Sequence, residues 1–213
     1  IRRNLLLYAT IALAGAVGLA FVWQILKSAT SAGFKLQDLP WYQYLFTQFR
    51  VIWRYLALFV FPTEQNGDYF LPVSHTVFEN GAALGLIALL AVSVLAWRYR
   101  RGYPLASFGW FGFLILIAPT SSIVPIQDVM VERRLYLPFL CLLLITIDFV
   151  RRWKPTPALL ATALGVVLVV SAAASYNRNR VWQTSLGFWE DVVRKSPVNS
   201  RARFQLAFSQ WQS

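Results

Sequence analysis

Apolar and polar stretches alternate along this chain and lay out its helices before anything else is considered. Leu5–Leu26 is a continuous apolar run of membrane-span length, preceded by Arg2 and Arg3 and followed by Lys27. Its Ala12, Ala16 and Ala20 share one face at four-residue spacing, a surface another helix can approach closely. Residues 28–40 are polar and end in Pro40. The next segment, residues 41–61, has a helical period but two faces. Thr47, Arg50 and Arg54 follow i, i+3, i+7 on one side, and Phe49, Ile52, Trp53, Leu56 and Val60 load the other. Two arginines near the centre of a lipid-exposed span are costly, so this helix reads as interfacial, re-entrant, or lining a wet cavity.

The loop Glu64–Asn80 carries Glu64, Asp68 and Glu79 and no Lys or Arg. Gly81–Trp97 is the next expected span, and it ends in Arg98, Arg100 and Arg101. Leu105–Ala118 is apolar but short, and Pro119 closes it. A polar connection, Thr120–Pro138, leads into a further apolar run, Leu135–Val150, which ends in Arg151, Arg152 and Lys154. Leu159–Ala174 is the last apolar run. From Asn177 the composition turns soluble. Trp182, Leu186, Trp189 and Val193 form an amphipathic stripe, Ser196-Pro197 stops it, and Asn199 or Ser200 can cap a helix carrying Phe204, Phe208 and Trp211. Two short helices around a Pro-containing turn are the unit of a helical-hairpin solenoid.

The expected fold is therefore all-α. A polytopic bundle of five or six spans, with the amphipathic helix at 41–61, occupies residues 1–176, and a helical hairpin of tetratricopeptide-like type begins at 177–213. Both basic anchors fall on one side if the intervening loops alternate, which puts the Glu64–Asn80 loop, the central connection and everything after Ala174 on the other, periplasmic or lumenal, side. Arg2 and Arg3 also prefer the inside, which favours five spans with 41–61 not crossing; six spans is the fallback. The expected location is a bacterial inner membrane or the endoplasmic reticulum. Beginning at Ile1 and closing at Ser213 inside a repeat, the chain reads as part of a longer protein.

Composition agrees. Hydrophobic residues make up 57% and charged residues 14%, against about 25% charged in an ordinary soluble domain. The net charge of +11 reads as positive-inside loops and headgroup contact rather than nucleic-acid binding, because no basic patch is interleaved with base-stacking aromatics away from the membrane boundaries. The single cysteine, Cys141, carries no disulfide or redox information. His75 stands without metal-ligand spacing and reads as a surface histidine.

There is no Ser/His/Asp set, no paired metal ligands and no Gly-rich phosphate loop. What the sequence offers is a group of arginines, Arg50, Arg54, Arg133 and Arg134, on or near the outer face of a helical bundle. Guanidinium forks suit phosphate oxygens. Glu132 beside them can fix an arginine rotamer or bind a divalent cation, the one cofactor considered. The plainer reading of the cluster is contact with membrane lipid headgroups.

The run VMVERRLYLPFLCLLL resembles the V-x-E-R-x-x-Y-L-P stretch of the transmembrane-and-tetratricopeptide-repeat mannosyltransferases and their bacterial relatives. RYLALFVFPTEQNGDYFLP is similar to their Y-L-x-L-L-x-P-x-x-L-S-x-D-Y region, and FWEDVVRKSPVNSRARFQLA looks like the start of their repeat domain. The resemblance implies a polyprenyl-phosphate-sugar glycosyltransferase that modifies a protein acceptor on the outer side, with the repeats presenting the acceptor. Carried over, Glu132, Arg133, Tyr136 and Pro138 match the charged motif, and Asp68 with Tyr69 match the second. Asn66-Gly67 replaces the family's Leu-Ser, and the family's acidic motif in the first outer loop has no counterpart in this chain, which leaves the catalytic residue unassigned. Arg133 and Arg134, with Arg50 and Arg54, would then stabilise the departing lipid phosphate. Two rival readings are a non-catalytic membrane anchor whose repeats recruit protein partners, and a polysaccharide polymerase or ligase using a lipid-linked donor.

Overall fold

The computed structural model describes residues 5–28, 33 and 39–212, so the basic pair Arg2 and Arg3 and most of the polar stretch before Pro40 lie outside it. The described residues form eight α-helices and no strand: α1 (Leu5–Ser28), α2 (Trp41–Val60), α3 (Ala82–Arg98), α4 (Pro104–Ile117), α5 (Tyr136–Trp153), α6 (Pro157–Val181), α7 (Ser185–Lys195) and α8 (Ser200–Gln212). Single turns of 3₁₀ helix, Glu79–Gly81 and Glu132–Leu135, lead into α3 and α5. The all-α expectation holds.

Local chemistry places several of the helix starts. Thr156 accepts from the Leu159 amide at 3.3 Å, with Pro157 in the first turn of α6. Thr184 accepts from Gly187 at 3.1 Å to open α7, and Asn199 Oδ1 accepts from the Ala202 amide at 3.2 Å to open α8, the cap the sequence offers there.

Helices α4 and α5 pack closely because glycine lines their contact: a Cβ on Gly109 would stand 2.4 Å from the Cys141 carbonyl oxygen. Helix α2 crosses α3 in the same way. A Cβ on Gly85 would stand 2.4 Å from the Phe49 carbonyl oxygen, and the Trp53 indole donates to the Gly85 carbonyl at 2.9 Å. At its start α2 reaches the end of α4, where the Tyr44 hydroxyl donates to the Thr120 carbonyl at 2.6 Å. Near its end, Phe59 meets Phe139 of α5 with ring centroids 5.4 Å apart. Gly85 and Phe139 lie in the first turns of α3 and α5, and Thr120 follows the last turn of α4. Helix α2 therefore lies across the loop-bearing end of the α3–α4–α5 group. Its buried Val51, Ile52, Tyr55 and Leu58 join Leu89, Trp110, Phe113, Ile117, Met130, Leu135, Cys141 and Leu142 in one core.

The opposite end carries the two basic turns, tied together by Arg152, which donates to the Gly102 carbonyl. Among the described residues, two helical stretches are long and apolar enough to cross a membrane by length and composition, Glu79–Arg98 and Pro157–Val181. The second has no buried residue at all, with Leu164, Val167, Leu168 and Val169 each more than half exposed. Helix α4, at 14 residues, is shorter than a span. Helix α6 runs on through Tyr176 to Val181, so the boundary at 176/177 falls within a continuous helix. Asn177–Arg180 stay helical because Arg178 and Arg180 suit the negative end of the helix dipole. The amphipathic face of α7 also sits elsewhere than the sequence stripe places it: the fully buried positions are Asp191 and Val192, and Trp182 lies before the helix, exposed.

Candidate functional site

The central connection is held against α2 by its backbone. Besides Tyr44 to Thr120, the Gln48 amide donates to the Val129 carbonyl at 3.0 Å, and the Tyr55 hydroxyl accepts from the Val131 amide at 2.9 Å. With Val51 and Leu58, these side chains occupy spacings of four and three along one face of α2, and each of the five is buried. Arg134 closes the connection from within. It donates to the Asp128 carbonyl at 2.8 Å and the Thr120 carbonyl at 3.4 Å, so its guanidinium fork is taken up by backbone.

Glu132 turns the other way. Its Oε1 accepts from the Tyr69 hydroxyl at 2.6 Å and from the Asn66 amide at 2.9 Å. Burial and the bond to Glu132 together push the Tyr69 phenol well above its ordinary range. Asn66 is in turn held by the C-terminal hairpin, its Nδ2 donating to Ser196 Oγ at 2.8 Å. Lys195 donates to the Gln65 carbonyl at 2.7 Å, and Arg201 reaches both Asp68 and Asp128. The bond to Asp68 raises the Arg201 guanidinium above its ordinary value, against burial and helped by Asp128. Beneath this contact, Asp191 collects Lys195, Arg178 and Arg194 at 2.6–2.7 Å. Burial opposes its ionisation, but those three cations outweigh burial and hold its carboxyl below the usual value.

Two cavities flank the Glu132–Tyr69–Asn66 wall. The larger, about 740 Å³, lies between α2, the 64–71 loop and the end of α7. Arg50, Arg54, Arg194 and Lys195 line it with Trp53, Tyr69 and Phe70, and Glu64 is the one carboxylate in its lining. Arg50 also pins the loop, donating to the Pro72 carbonyl at 3.0 Å and to Ser74 Oγ at 3.2 Å. Arg54 pairs with Glu64 at 3.1 Å, and Glu64 adopts a left-handed backbone conformation, φ 55°, that side-chain-bearing residues favour little. The smaller cavity, about 410 Å³, is lined by Glu132, Arg133, Tyr136, Leu58, Phe139 and Trp182 among others. Arg133 is exposed there and engages none of the described residues.

The candidates from the sequence thus divide. Arg50, Arg54 and Tyr69 face the larger cavity; Glu132, Arg133 and Tyr136 face the smaller; Arg134 clamps the connection and Asp68 the hairpin. Arg194 and Lys195 were not among them, because their place in the cavity comes from a fold-back of the hairpin. The stripe Tyr44–Gln48–Val51–Tyr55–Leu58, by contrast, was a readable signal in α2. No group of three or more His, Cys, Asp or Glu side chains suited to a metal occurs among the described residues. The carboxylate considered for a divalent cation, Glu132, is engaged by Tyr69 and Asn66.

No family model, no curated protein and no solved structure matches this chain.

Proposed function

We propose that this chain is the donor-binding part of a polytopic membrane glycosyltransferase that uses a polyprenyl-phosphate-linked sugar and modifies a protein on the side of its C-terminal hairpin. The observation that supports this most is the larger cavity, where four cations and one carboxylate meet aromatic side chains at the loop-bearing end of the helices. A phosphate there exchanges water for several charge-assisted bonds in a partly enclosed space. Trp53 and Phe70 offer apolar surface to a prenyl chain or a sugar face.

In this reading the acceptor oxygen bonds to the anomeric carbon, the bond from that carbon to the donor phosphate breaks, and the lipid phosphate leaves with the electron pair. Arg50 and Arg54 stabilise the charge that develops on it. The acceptor's proton needs a base. Glu64 and Glu132 are already committed to Arg54 and to Tyr69, so neither is assigned that step. The hairpin, bonded to the 65–68 loop, supplies Arg194 and Lys195 and brings the acceptor side of the protein next to the donor. Counting the short α4 together with α1, α3, α5 and α6 as crossing gives five spans, with α2 at the interface.

The test is transfer from labelled polyprenyl-phosphate sugars by the full-length protein in nanodiscs. Arg54→Gln and Arg133→Ala alter exposed side chains, so both are expected to melt as wild type does. Loss of transfer in folded Arg54→Gln with transfer kept in Arg133→Ala assigns the phosphate to the larger cavity. The reverse pattern assigns it to the smaller one. Absence of transfer by the wild type with every donor moves the protein to the scaffold reading.

A further inference from the structure

The end of the bundle away from these cavities carries a different combination. A groove of about 490 Å³ runs between α3, α4 and α5, within the roughly 300–1,000 Å³ of small-molecule sites. Val92, Leu95, Tyr99, Trp110, Ile145 and Phe149 form most of its wall, and Leu95, Tyr99 and Phe149 are more than half exposed, so it opens sideways. Two of the polar groups in that wall, Ser107 and Trp110, are already satisfied internally. Ser107 Oγ donates to the Ala96 carbonyl at 2.6 Å, and the Trp110 indole donates to Ser93 Oγ at 3.0 Å. An apolar chain can therefore fill the groove without stranding a buried donor.

The two turns at this end of the bundle carry the basic cluster. Arg98, Arg100, Arg101, Arg151, Arg152 and Lys154 are all exposed, and the only nearby carboxylate on these elements, Asp148, is buried. Asp148 is also spent locally: one oxygen accepts from the Ala106 amide at 2.9 Å and the other from Arg152 Nε at 3.2 Å. Arg152 is the best placed of the six. Its guanidinium carbon lies 4.1 Å from the centroid of Tyr103, a groove residue whose ring is 5.6 Å from that of Phe149. Nε and Nη2 are engaged by Asp148 and the Gly102 carbonyl, which fixes the fork and leaves Nη1 without a partner among the described residues.

We propose that this groove is a binding site for an anionic phospholipid, one acyl chain lying along Val92, Leu95, Trp110 and Ile145 and the phosphate meeting Arg152 at the mouth. Charge selects the occupant. A zwitterionic lipid could fill the apolar groove equally well but would gain less from a cluster in which six cations stand against a single carboxylate. The inference rests on the membrane reading and not on the sugar-transfer one, and it places a lipid-responsive site at the end of α3–α5 opposite the cation-lined cavity.

The experiment is native mass spectrometry of the full-length protein in detergent, titrated with phosphatidylglycerol or phosphatidylcholine. Wild type is expected to bind phosphatidylglycerol at least about five-fold more tightly, about the effect of one arginine near an anionic headgroup. Arg152→Gln should remove about that factor for phosphatidylglycerol and leave phosphatidylcholine unchanged, whereas Leu95→Trp, which crowds the groove at its exposed rim, should weaken both. If Arg152→Gln fails to fold, Arg101→Gln, which loses no contact to a described residue, is expected to reduce the preference as well. Equal affinity for the two lipids, or a full phosphatidylglycerol preference in folded Arg152→Gln, overturns the proposal. So does a copurifying membrane helix that lipid cannot displace, which would make the groove a protein interface. Recovery of the protein soluble without detergent would overturn the membrane reading with it.

Discussion

Gly67 packs the 64–71 loop directly against the C-terminal hairpin. A Cβ there would stand 2.2 and 2.3 Å from Cζ and Cε2 of Phe188, and 3.3 Å from Val192 Cγ2. Ordinary carbon contacts are about 3.5–4 Å, so the ring would have to retreat by more than about 1 Å. It has little room to do so, since its centroid is 4.6 Å from that of Trp182 and 4.9 Å from that of Trp189. Overpacking of this kind costs about 1–3 kcal/mol, and the reduced freedom of the unfolded loop returns about 0.4–1 kcal/mol. Gly67→Ala should therefore weaken hairpin docking by up to about 2.6 kcal/mol, with a midpoint of about 1.3 kcal/mol or roughly 10-fold in the docking equilibrium. Hydrogen exchange of the α7 amides in nanodisc-embedded protein reads that equilibrium directly. Phe188→Leu shortens the opposing ring, and in that background Gly67→Ala should be close to neutral. Unchanged exchange in Gly67→Ala, or equal acceleration in both backgrounds, would refute the reasoning.

Two further outcomes follow from the contacts. Arg134→Ala removes charge-assisted bonds to two carbonyls, about 1.5–3 kcal/mol, and should lower the melting temperature by roughly 3–10 °C for a protein of this size, whereas Arg133→Ala should leave it within about a degree or two; equal melts for the two would contradict the clamp. Asp191, held below its ordinary value, contributes stability that is full above about pH 4 and lost as the pH falls below that range, so limited proteolysis of the hairpin should accelerate as the pH is taken below about 4. Asp191→Asn should lack this step, and a step of equal size in that variant would place the acid sensitivity elsewhere.

The helices were legible because long apolar runs satisfy their backbone most simply by helical hydrogen bonds within themselves, and because Asn199 carries its own capping chemistry. The basic turns were legible for the same local reason. The division of labour among the arginines was not. Arg133 and Arg134 are neighbours with the same chemistry, and only the course of the connection from Thr120 to Asp128 decides that one is consumed by carbonyls while the other stays exposed. Likewise, the Asn66-Gly67 departure from the resembled pattern had no explanation until Phe188 was seen against it. Periodicity assigned Trp182, Leu186, Trp189 and Val193 to one face, yet Asp191 is the side chain that α7 buries most deeply with Val192, because three cations from its own turn and from α6 surround it. In each case the deciding partner lies on another element, and sequence spacing carries no record of it.

The bonds that join Asn66 to Ser196 and Gln65 to Lys195 bridge 130 positions of chain. A growing polypeptide reaches Arg50, Arg54 and the 64–71 loop long before the ribosome has made the residues that complete the cavity beside them. Until Arg194–Arg201 have emerged and folded back, that cavity lacks two of its cations and the loop lacks its anchor. The order of synthesis therefore leaves the larger cavity unfinished until the last helices are in place, so a truncated or stalled chain would form its early helices yet have no completed site.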